Sequence, residues 1–384
     1  MDVVFASSKG AQYRYFKCLS NDLGLDTSLV TLRPVFFPSF FGSGLTCNTI
    51  CEGIAFHVER KKRKYFNYHF PAIFWALYRL RSSYKFIKIF LRFSRYFNIH
   101  KPKVVGLWNG HRLPEMAIKA AAKYRGVDVL YFENGLLPST TTADFSGVNA
   151  LNSVPRDLEF YMNYQSENKI ISYERNELEV RKAHKSKRHL SGTIKDNNIE
   201  YIFIPFQVDF DSQVVLNSPW VNSMEEFWVL LTSVISKIND KNLCFVIKEH
   251  PSDPRVYTEY HNQNERILFS SDSTEYLIRN AKAVITLNSS VGLETLMLEK
   301  KLIVLGDACF KVQDITMCSD SESELINALN GLESWEPNLI ALRSFINYLY
   351  DEYCILIAWQ TLQESMDEVH LHALEKRIKQ HFLK

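Results

Sequence analysis

Short apolar runs alternate with helix-like patterns along most of this chain. Residues 104–108 have the continuous apolar character of a buried strand, and residues 113–124, rich in Ala and Lys, predict the helix that follows. Gly126 predicts the end of that helix, and residues 127–132 predict the next strand. A strand, a helix and a second strand in this order are the repeating unit of a parallel sheet.

A second series of the same kind begins at residue 201. The pattern predicts strands at 201–205, 244–248, 283–287 and 301–305, and helices at 223–238, 273–281 and 292–298. The second half of the chain is therefore predicted to form a doubly wound domain of its own.

The length of the chain also favours two domains, because 384 residues exceed what one typical core holds. We predict an α/β protein with two Rossmann-like, doubly wound domains that face a central cleft. The first domain is assigned to residues 1–198, with a polar, helical or partly flexible connector at 165–198. The second domain is assigned to residues 199–341, and residues 342–384 are predicted to be C-terminal helices.

Composition adds the expected compartment. Hydrophobic residues make up 46% of the chain, charged residues make up 23%, and the net charge is only +2. The seven Cys are scattered, which fits a reducing cytosol better than a disulfide framework. The first residues lack the pattern of a signal peptide, and no run of about 18 uncharged apolar residues predicts a membrane-spanning helix. We therefore expect a cytoplasmic protein.

Residues 60–103 depart from this average composition. They include 13 Lys and Arg, 13 aromatic residues and no Asp or Glu. Aromatic and cationic residues alternate at near-helical spacing, which suits a helix that binds an anionic membrane surface. A core helix with a solvated basic face is the alternative. No nucleic-acid-binding motif accompanies the segment, so we expect peripheral binding at the inner membrane and no nucleic-acid partner.

Four groups of chemically reactive residues follow predicted strands, at the edge where open parallel sheets bind ligands. Glu133 follows the first of these strands and can act as a general acid or base, or it can simply cap a turn. The small polar residues after Glu133 are expected to contact an acceptor. Gln207, Asp209, Asp211 and Gln213 follow the second strand and share one face if the chain there is extended. A carboxylate in this place can be the nucleophile of a retaining glycosyl transfer, whereas an acidic loop or a helix N-cap at Asp211 is the alternative.

The third group is Lys248 and His250, at the end of the third strand. An ammonium and an imidazole together can hold a phosphate and protonate a leaving group. A purely structural His is the alternative.

The fourth group is the stretch TLNSSVGLE, residues 286–294, which follows a strand and opens a helix. Small hydroxyl residues and backbone N–H groups at a helix N-terminus form an anion site, here with Ser289 and Ser290. A plain N-cap at either serine, with Glu294 in a capping arrangement, is the alternative. The sequence has no Walker-type loop and no GxGxxG fingerprint, which argues against an ATP or GTP hydrolase and a dinucleotide enzyme.

In this order the four groups resemble the capsule polysaccharide biosynthesis family of β-Kdo glycosyltransferases (the KpsS/KpsC type; Kdo is 3-deoxy-D-manno-octulosonic acid). The matching stretches are FENGLLP…GVNALNSVPRD (132–157), FQVDFDSQ (206–213), IKEHP (247–251) and AKAVITLNSSVGLETLMLEKKLIVLGDACF (281–310). Together they cover roughly residues 103–160 and 200–312. The chain has Leu136-Leu137-Pro138 where family members commonly have Tyr-Leu-Arg-Pro, and the missing Arg concerns the contact with the acceptor.

The resemblance implies a GT-B-like fold and the transfer of Kdo from CMP-β-Kdo to a lipid or glycan acceptor, with retention at the anomeric carbon. It implies Asp211 as the nucleophile that forms a covalent adduct and Glu133 as the acid/base, with Asp209 as the rival nucleophile. Retention by double displacement needs two such carboxylates.

The donor-binding residues follow from the same resemblance. His250 and Lys248 are expected to face the CMP phosphate, beside the start of the helix that follows the fourth strand. The wider set expected at the donor is Gln207, Asn288, Ser289, Ser290 and Glu294. Arg112 is expected to pair with the Kdo carboxylate, a hypothesis that rests on its position after a strand and on no motif.

No metal and no cofactor are expected, because CMP is a good leaving group. Two alternative functions are a transferase for another CMP-ulosonate or nucleotide sugar, and a non-catalytic subunit of capsule assembly. The presence of both Asp211 and Glu133 argues against the second of these.

Overall fold

The computed structural model describes residues 1–8, 10–32, 45–166, 192–195 and 199–383. The strands of this part of the chain are, in order, β1 Val3–Ser7, β2 Thr27–Thr31, β3 Val104–Trp108, β4 Asp128–Asn134, β5 Thr140–Asp144, β6 Tyr201–Pro205, β7 Cys244–Lys248, β8 Ile267–Phe269, β9 Ala283–Thr286, β10 Leu302–Val304, β11 Met317–Cys318 and β12 Ile355–Leu356. The α-helices are α1 Ala11–Asp22, α2 Cys47–Lys64, α3 Ala72–His100, α4 Glu115–Arg125, α5 Leu158–Asn163, α6 Ser212–Leu216, α7 Met224–Lys237, α8 Thr274–Asn280, α9 Val291–Met297, α10 Glu322–Asn330, α11 Leu339–Tyr348 and α12 Glu368–Phe382.

The chain folds into two compact units. Unit 1 comprises Met1–Ser153 and Glu352–Lys384, and unit 2 comprises Val154–Asp351. α5 belongs to unit 2 because Tyr161 packs edge-on against Phe345 of α11, with the ring centroids 5.3 Å apart. The chain therefore leaves unit 1, builds all of unit 2 and then returns to unit 1.

These units have other boundaries than the predicted ranges 1–198, 199–341 and 342–384. Most of the connector expected at 165–198 lies outside the described residues. The prediction that 342–384 is helical throughout is wrong between α11 and α12, because β12 lies there and pairs antiparallel with β5. Backbone hydrogen bonds to a sheet edge therefore replace helical ones in this segment.

The sheet of unit 1 has the strand order β12-β5-β4-β3-β1-β2. β4, β3, β1 and β2 are parallel, whereas β5 and β12 are antiparallel to their neighbours. Alternate residues of β1 show why both faces are covered. Val4 and Ala6 join the core under α2, α3 and α4, while Val3 and Phe5 join the core under α1 and α12. The predicted unit of β3, α4 and β4 is confirmed, and Gly126 ends α4 in the left-handed conformation, with φ 66°.

The sheet of unit 2 is parallel throughout, with the order β11-β10-β9-β6-β7-β8. When β6 is counted as strand 1, this is the order 3-2-1-4-5-6 of the Rossmann fold. Every residue of β6 is buried, as expected for a central strand covered on both faces. The α/β class with two Rossmann-like sheets is therefore confirmed.

The basic, aromatic segment spans the end of α2 and all of α3, as its helical spacing predicts. In the second half of α3 the aromatic residues Phe86, Phe90, Phe93 and Phe97 are buried against the core of unit 1. This half fits the alternative of a core helix. In the first half, nearly every residue is exposed or only partly buried.

Candidate functional site

The strand order of unit 2 reverses between β6 and β9, and open parallel sheets bind ligands beyond the carboxyl ends of the strands at such a point. Gln207 follows β6, Asn288 follows β9, and both side chains are buried. The Gln207 Nε2 donates to Asn288 Oδ1 at 3.0 Å, and the Asn288 backbone N donates to Gln207 Oε1 at 3.3 Å. This reciprocal pair ties the two strand ends together at the switch point.

Asn288 also fixes the position of α6. Its Nδ2 donates to the carbonyl of Gln213 at 2.9 Å and to the carbonyl of Asn217 at 2.8 Å, and it donates to the Ser218 hydroxyl at 3.2 Å. α6 has only five residues, too few to persist on its own backbone bonds. The amide of Asn288 therefore supplies much of what holds this short helix in place.

Asp211 is the N-cap residue of α6. Its Oδ1 accepts from the Gln213 backbone N at 3.0 Å and from the Ser212 hydroxyl at 3.3 Å. The expectation of an extended chain here is wrong, because α6 begins at Ser212. The N-cap alternative describes the local geometry, and a capped carboxylate is held in one orientation, as a nucleophile also must be. The nucleophilic role of Asp211 stays a prediction.

Asp209 has a different environment. It is 2% exposed, its Oδ1 accepts from the Met224 backbone N at 2.8 Å, and its Oδ2 lies 3.2 Å from Arg255 Nη1. This carboxylate anchors the start of α7 and forms a buried ion pair, so an attack on a sugar would require it to leave its partners. The sequence analysis missed Arg255, because nothing in the sequence pairs it with a carboxylate so far away along the chain.

Lys248 and His250 lie at the end of β7, as predicted. The Lys248 ammonium donates to the backbone carbonyl of Asp272, so it also has a structural role. The His250 Nδ1 accepts from the Ser252 backbone N at 3.1 Å, and a neutral ring therefore carries its proton on Nε2. Contact of either side chain with a phosphate stays a prediction.

The loop between β9 and α9 contains the predicted serines. The Ser289 hydroxyl accepts from the Val291 backbone N at 3.2 Å, and the Ser289 backbone N donates to the Thr286 hydroxyl at 3.1 Å. Ser290 occupies the N-cap position of α9, but its side chain makes no capping bond, and Glu294 lies in the first turn. The N-cap alternative is therefore wrong for Ser290, and anion binding at this loop stays a prediction.

Glu133 lies at the carboxyl edge of the unit 1 sheet. It lies within β4, opposite Thr142 of β5, because the strand continues to Asn134. The Glu133 Oε2 accepts from Asn109 Nδ2 at 2.7 Å, and its Oε1 accepts from the Asn134 backbone N at 3.0 Å. The predicted strand ended at residue 132, so the expectation that Glu133 comes after the strand is wrong. Its place near the carboxyl end of the strand is as predicted.

The sequence analysis missed Asn109, which orients Glu133. Asn109 and Gly110 follow β3 with φ of 60° and 80°, so the chain makes a left-handed turn there. A Cβ at Gly110 would lie 2.5 Å from the Tyr131 ring, which explains why this position has glycine. The Asn-Gly dipeptide is the signal that could have found this turn.

The small polar residues after Glu133 are structural. β5 has five buried residues, so the expectation that this stretch contacts an acceptor is wrong for Thr140–Asp144. The buried Asp144 carboxylate accepts from the backbone N of Ser146 and of Ser153, both at 2.7 Å, and from the Tyr353 hydroxyl at 3.0 Å. The carboxylate thus holds the Gly-Val-Asn loop and the returning chain in place.

Arg112 is exposed in the loop before α4, and Glu115 is the first residue of that helix. The Glu115 Oε2 is buried without a hydrogen-bond partner. Burial raises the pKa of Glu115 to about 7, although its own backbone N–H and the positive charges of Arg112 and Lys85 oppose the shift. The sequence analysis missed Glu115, because an acidic residue in a first helical turn is ordinarily a solvated, favourable choice.

Among the residues that the structure describes, no group of three or more His, Cys, Asp or Glu side chains is arranged to hold a metal ion. Across the same ranges, no helix has both the length and the apolar character needed to cross a membrane.

Residues 166–328 match the family model described as capsule polysaccharide biosynthesis protein. This match covers less than half of the chain's 384 residues. Proteins similar to this chain include Protein FixF of Sinorhizobium fredii (strain NBRC 101917 / NGR234), which is 34% identical over 255 residues that span 66% of this chain and 60% of FixF. The capsule polysaccharide export protein KpsS of Escherichia coli is 28% identical, over 52% of this chain and 65% of KpsS. The chain thus spans less than two thirds of the length of either relative.

Two solved structures are also similar to this chain. One is the β-Kdo 2,7 transferase of Thermosulfurimonas dismutans KpsC, with 13% identity and a TM-score of 0.48, covering 98% of this chain and 99% of that one. The other is the β-Kdo 2,4 transferase of the same KpsC, with 15% identity and a TM-score of 0.46, covering 73% and 88%. The fold class given above rests on the two sheets of this chain.

Proposed function

We propose that this chain is a retaining β-Kdo glycosyltransferase, which moves Kdo from CMP-β-Kdo to a lipid or glycan acceptor in the synthesis of a bacterial surface polysaccharide. The match of residues 166–328 to the family model and the ordered motifs support the proposal. The observation that carries it is the setting of Asp211. The carboxylate caps α6, and Asn288, at the switch point of the unit 2 sheet, holds that helix.

The proposed reaction has two displacements at the anomeric carbon. First, a carboxylate oxygen of Asp211 bonds to this carbon while the bond to CMP breaks, and CMP leaves with the electron pair. Next, the acceptor hydroxyl attacks the Kdo–Asp211 adduct while Glu133 takes its proton, and Asp211 leaves as a carboxylate. Each displacement inverts the centre, so the two together retain its configuration. Asn109 acts in this scheme as a positioning residue, because its amide holds Glu133 Oε2.

The donor is proposed to contact the strand ends of unit 2. Lys248 and His250 are assigned to the CMP phosphate, and Ser289 and Ser290 are assigned to the same region. Arg112 of unit 1 is assigned to the Kdo carboxylate, because a guanidinium pairs well with a planar anion. Neither a metal nor a cofactor has a step in this scheme. The reaction is proposed to take place in the cytoplasm, at the inner membrane surface.

Intact mass spectrometry of the protein with freshly made CMP-Kdo tests the nucleophile. The sharpest variant is Asp211→Asn, because Asn caps a helix as well as Asp does but is a far weaker nucleophile. Asp367→Asn is a matched control, since Asp367 is the N-cap of α12 and has no proposed role. We expect wild type and the control to gain the mass of one Kdo residue and Asp211→Asn to gain none. Asp209→Asn tests the rival residue, with its thermal unfolding midpoint measured alongside because Asp209 is a buried partner of Arg255.

The other outcomes have separate meanings. An adduct that disappears only in Asp209→Asn would move the nucleophile by two residues. CMP release without any adduct would contradict an adduct that lives long enough to detect. If no CMP is released with any acceptor tried, another CMP-ulosonate, another nucleotide sugar or a non-catalytic assembly role would replace the proposal.

A further inference from the structure

Helix α3 has apolar residues on two opposite faces. Its buried face includes Phe86, Ile89, Phe90, Phe93 and Phe97. Its outer face has a second row, which we name the α3 stripe: Ile73, Leu77, Leu80 and Tyr84, with 69%, 61%, 68% and 60% of their surface exposed. These four residues follow at intervals of four, three and four, so they lie on one side of the helix.

A water-facing stripe of this kind is unusual for a surface helix. The outer face of such a helix ordinarily has charged and polar residues, and apolar residues on all sides indicate a helix whose outer face also meets an apolar phase. Among the described residues, six of the 17 large hydrophobic side chains that are exposed lie between Phe66 and Tyr84. The exposed apolar surface is therefore concentrated on this part of unit 1.

The connection between α2 and α3 adds an aromatic cluster, which we name the aromatic tip. Its members are Tyr65, Tyr68, Phe70, Phe74, Trp75 and Tyr78, whose rings contact one another. The Phe70 and Phe74 rings stack with their centroids 4.2 Å apart, and the Lys61 ammonium lies 4.4 Å from the centre of the Tyr65 ring. Aromatic rings beside lysines are the usual composition of a segment at a membrane–water interface.

The charges beside the stripe indicate which apolar surface it meets. Arg79, Arg81 and Lys85 are exposed on the same half of α3. The sequence from Arg60 to Lys103 has 13 Lys and Arg and no Asp or Glu. Anionic lipids attract each such cation with about 1 kcal/mol near the surface. A second copy of this face would bring like charges together, so self-association through the stripe is disfavoured.

We infer that the α3 stripe and the aromatic tip dock unit 1 on an anionic lipid bilayer, with the stripe inserted into the interface and the cations among the headgroups. The helix lies along the surface and does not cross it, in agreement with the search for spanning helices among the described residues. This inference deepens the proposed location at the membrane and is independent of the donor and of the transfer chemistry.

Flotation of the full chain with vesicles, without any donor, tests the inference. Phosphatidylcholine vesicles with and without phosphatidylglycerol are compared for wild type and for Leu77→Asp/Leu80→Asp. The matched control is Val229→Asp/Ile340→Asp, which makes the same kind of change at two residues of unit 2 that are 61% and 67% exposed. Circular dichroism and thermal unfolding verify that each variant is folded, as expected because all four side chains are exposed.

We expect wild type and the control to float only with vesicles that contain phosphatidylglycerol, and the partition coefficient of Leu77→Asp/Leu80→Asp to fall by about tenfold or more. Arg79→Gln/Arg81→Gln is expected to lose about fivefold per charge and to make binding less sensitive to salt. No flotation of the wild type, or equal flotation of the stripe variant, would overturn the inference. A wild-type dimer in light scattering that the stripe variant alone dissociates would assign the stripe to a second copy instead. Failure of Kdo transfer with intact flotation would overturn only the proposed function.

Discussion

Replacing Glu115 by Gln is expected to remove a loss of stability that unit 1 of the wild type undergoes as the pH rises. Its buried Oε2 has no hydrogen-bond partner, and burial raises the pKa of this carboxyl from 4.5 to about 7. The folded state therefore holds the proton more tightly than the unfolded state does. By linkage, the wild type is destabilised as the pH rises from the unfolded pKa towards the folded one, and the full cost is present above pH 7.

The size of the effect follows from the two pKa values. At about 1.4 kcal/mol for each pKa unit, the wild type loses about 2 to 3 kcal/mol of unfolding free energy between about pH 5 and about pH 8. Gln keeps the shape of the protonated carboxyl and does not titrate. We subtract the unfolding free energy of the wild type from that of the variant at each pH. This difference is expected to rise by about 2 to 3 kcal/mol from the lower pH to the higher pH.

Native-state hydrogen exchange read by mass spectrometry is the suitable assay, because a chain of two units does not unfold in one step. Peptides from β3 and α4 report unit 1, and a peptide from β7 reports unit 2 as an internal reference. Glu52→Gln, on the exposed face of α2, controls for the loss of one negative charge in unit 1. If the stability difference between Glu115→Gln and wild type is the same at the two pH values, or shifts in favour of the wild type as the pH rises, the reasoning from burial fails.

Three further predictions concern side-chain contacts in the two units. Asn288→Ala removes the donor to two carbonyls that hold α6. We expect the unfolding free energy of unit 2, read from hydrogen exchange of β6 and β9 peptides, to fall by about 2 to 3 kcal/mol, and unchanged exchange would contradict the positioning role. Asp209→Asn alone or Arg255→Met alone is expected to lower the unfolding free energy by about 3 to 5 kcal/mol, because each change leaves the other member of the buried ion pair without its opposite charge. The double variant should lose less than the sum of the two single losses. Strict additivity in this double-mutant cycle would show that the pair is not coupled. Burial lowers the pKa of His370, whose Nε2 lies 2.8 Å from the Tyr15 hydroxyl, so the stability from the neutral ring is present above about pH 6.5 and is lost as the pH falls through the lowered pKa. An NMR titration that gives His370 its ordinary pKa or a higher one would refute this.

Much of unit 2 could be predicted from the sequence, because its central strands are continuous apolar runs. β6 and β7 begin and end at the predicted residues, and α7 lies within the helix predicted at 223–238. The short outer strands β8 and β11 were missed, because two or three residues give too little pattern to detect.

Unit 1 shows the limits of hydrophobic pattern more clearly. β5 has the polar sequence of a loop, yet its three threonines are buried. Two of their hydroxyls donate to backbone carbonyls, Thr140 to Leu137 and Thr141 to Ile357, whereas the Thr142 hydroxyl has no hydrogen-bond partner. Ile357 lies 216 residues away from Thr141 along the chain, so no local pattern could reveal this contact. β1 and β2 are likewise absent from the prediction.

The candidate site divides in the same way. The sequence places Glu133, Asp211, Lys248 and Asn288 at strand ends, because position after an apolar run is a local property. It does not reveal that Gln207 and Asn288 bond to each other, since 81 residues separate them. Which residues hold a reactive side chain in place depends on tertiary contacts, and these appear only in the folded chain.

The return of residues 352–384 to unit 1 has a consequence for the order in which the protein is made. A ribosome completes all of unit 2 before it has synthesised β12 and α12, so unit 2 can fold while the sheet of unit 1 still lacks an outer strand and one of the two helices that cover Val3 and Phe5. Nascent chains of unit 1 would thus wait with an open edge and a partly uncovered apolar face, the state in which chaperones bind and aggregation starts. A stop codon near residue 352 would leave unit 2 intact and would damage unit 1, most of which is encoded at the opposite end of the sequence.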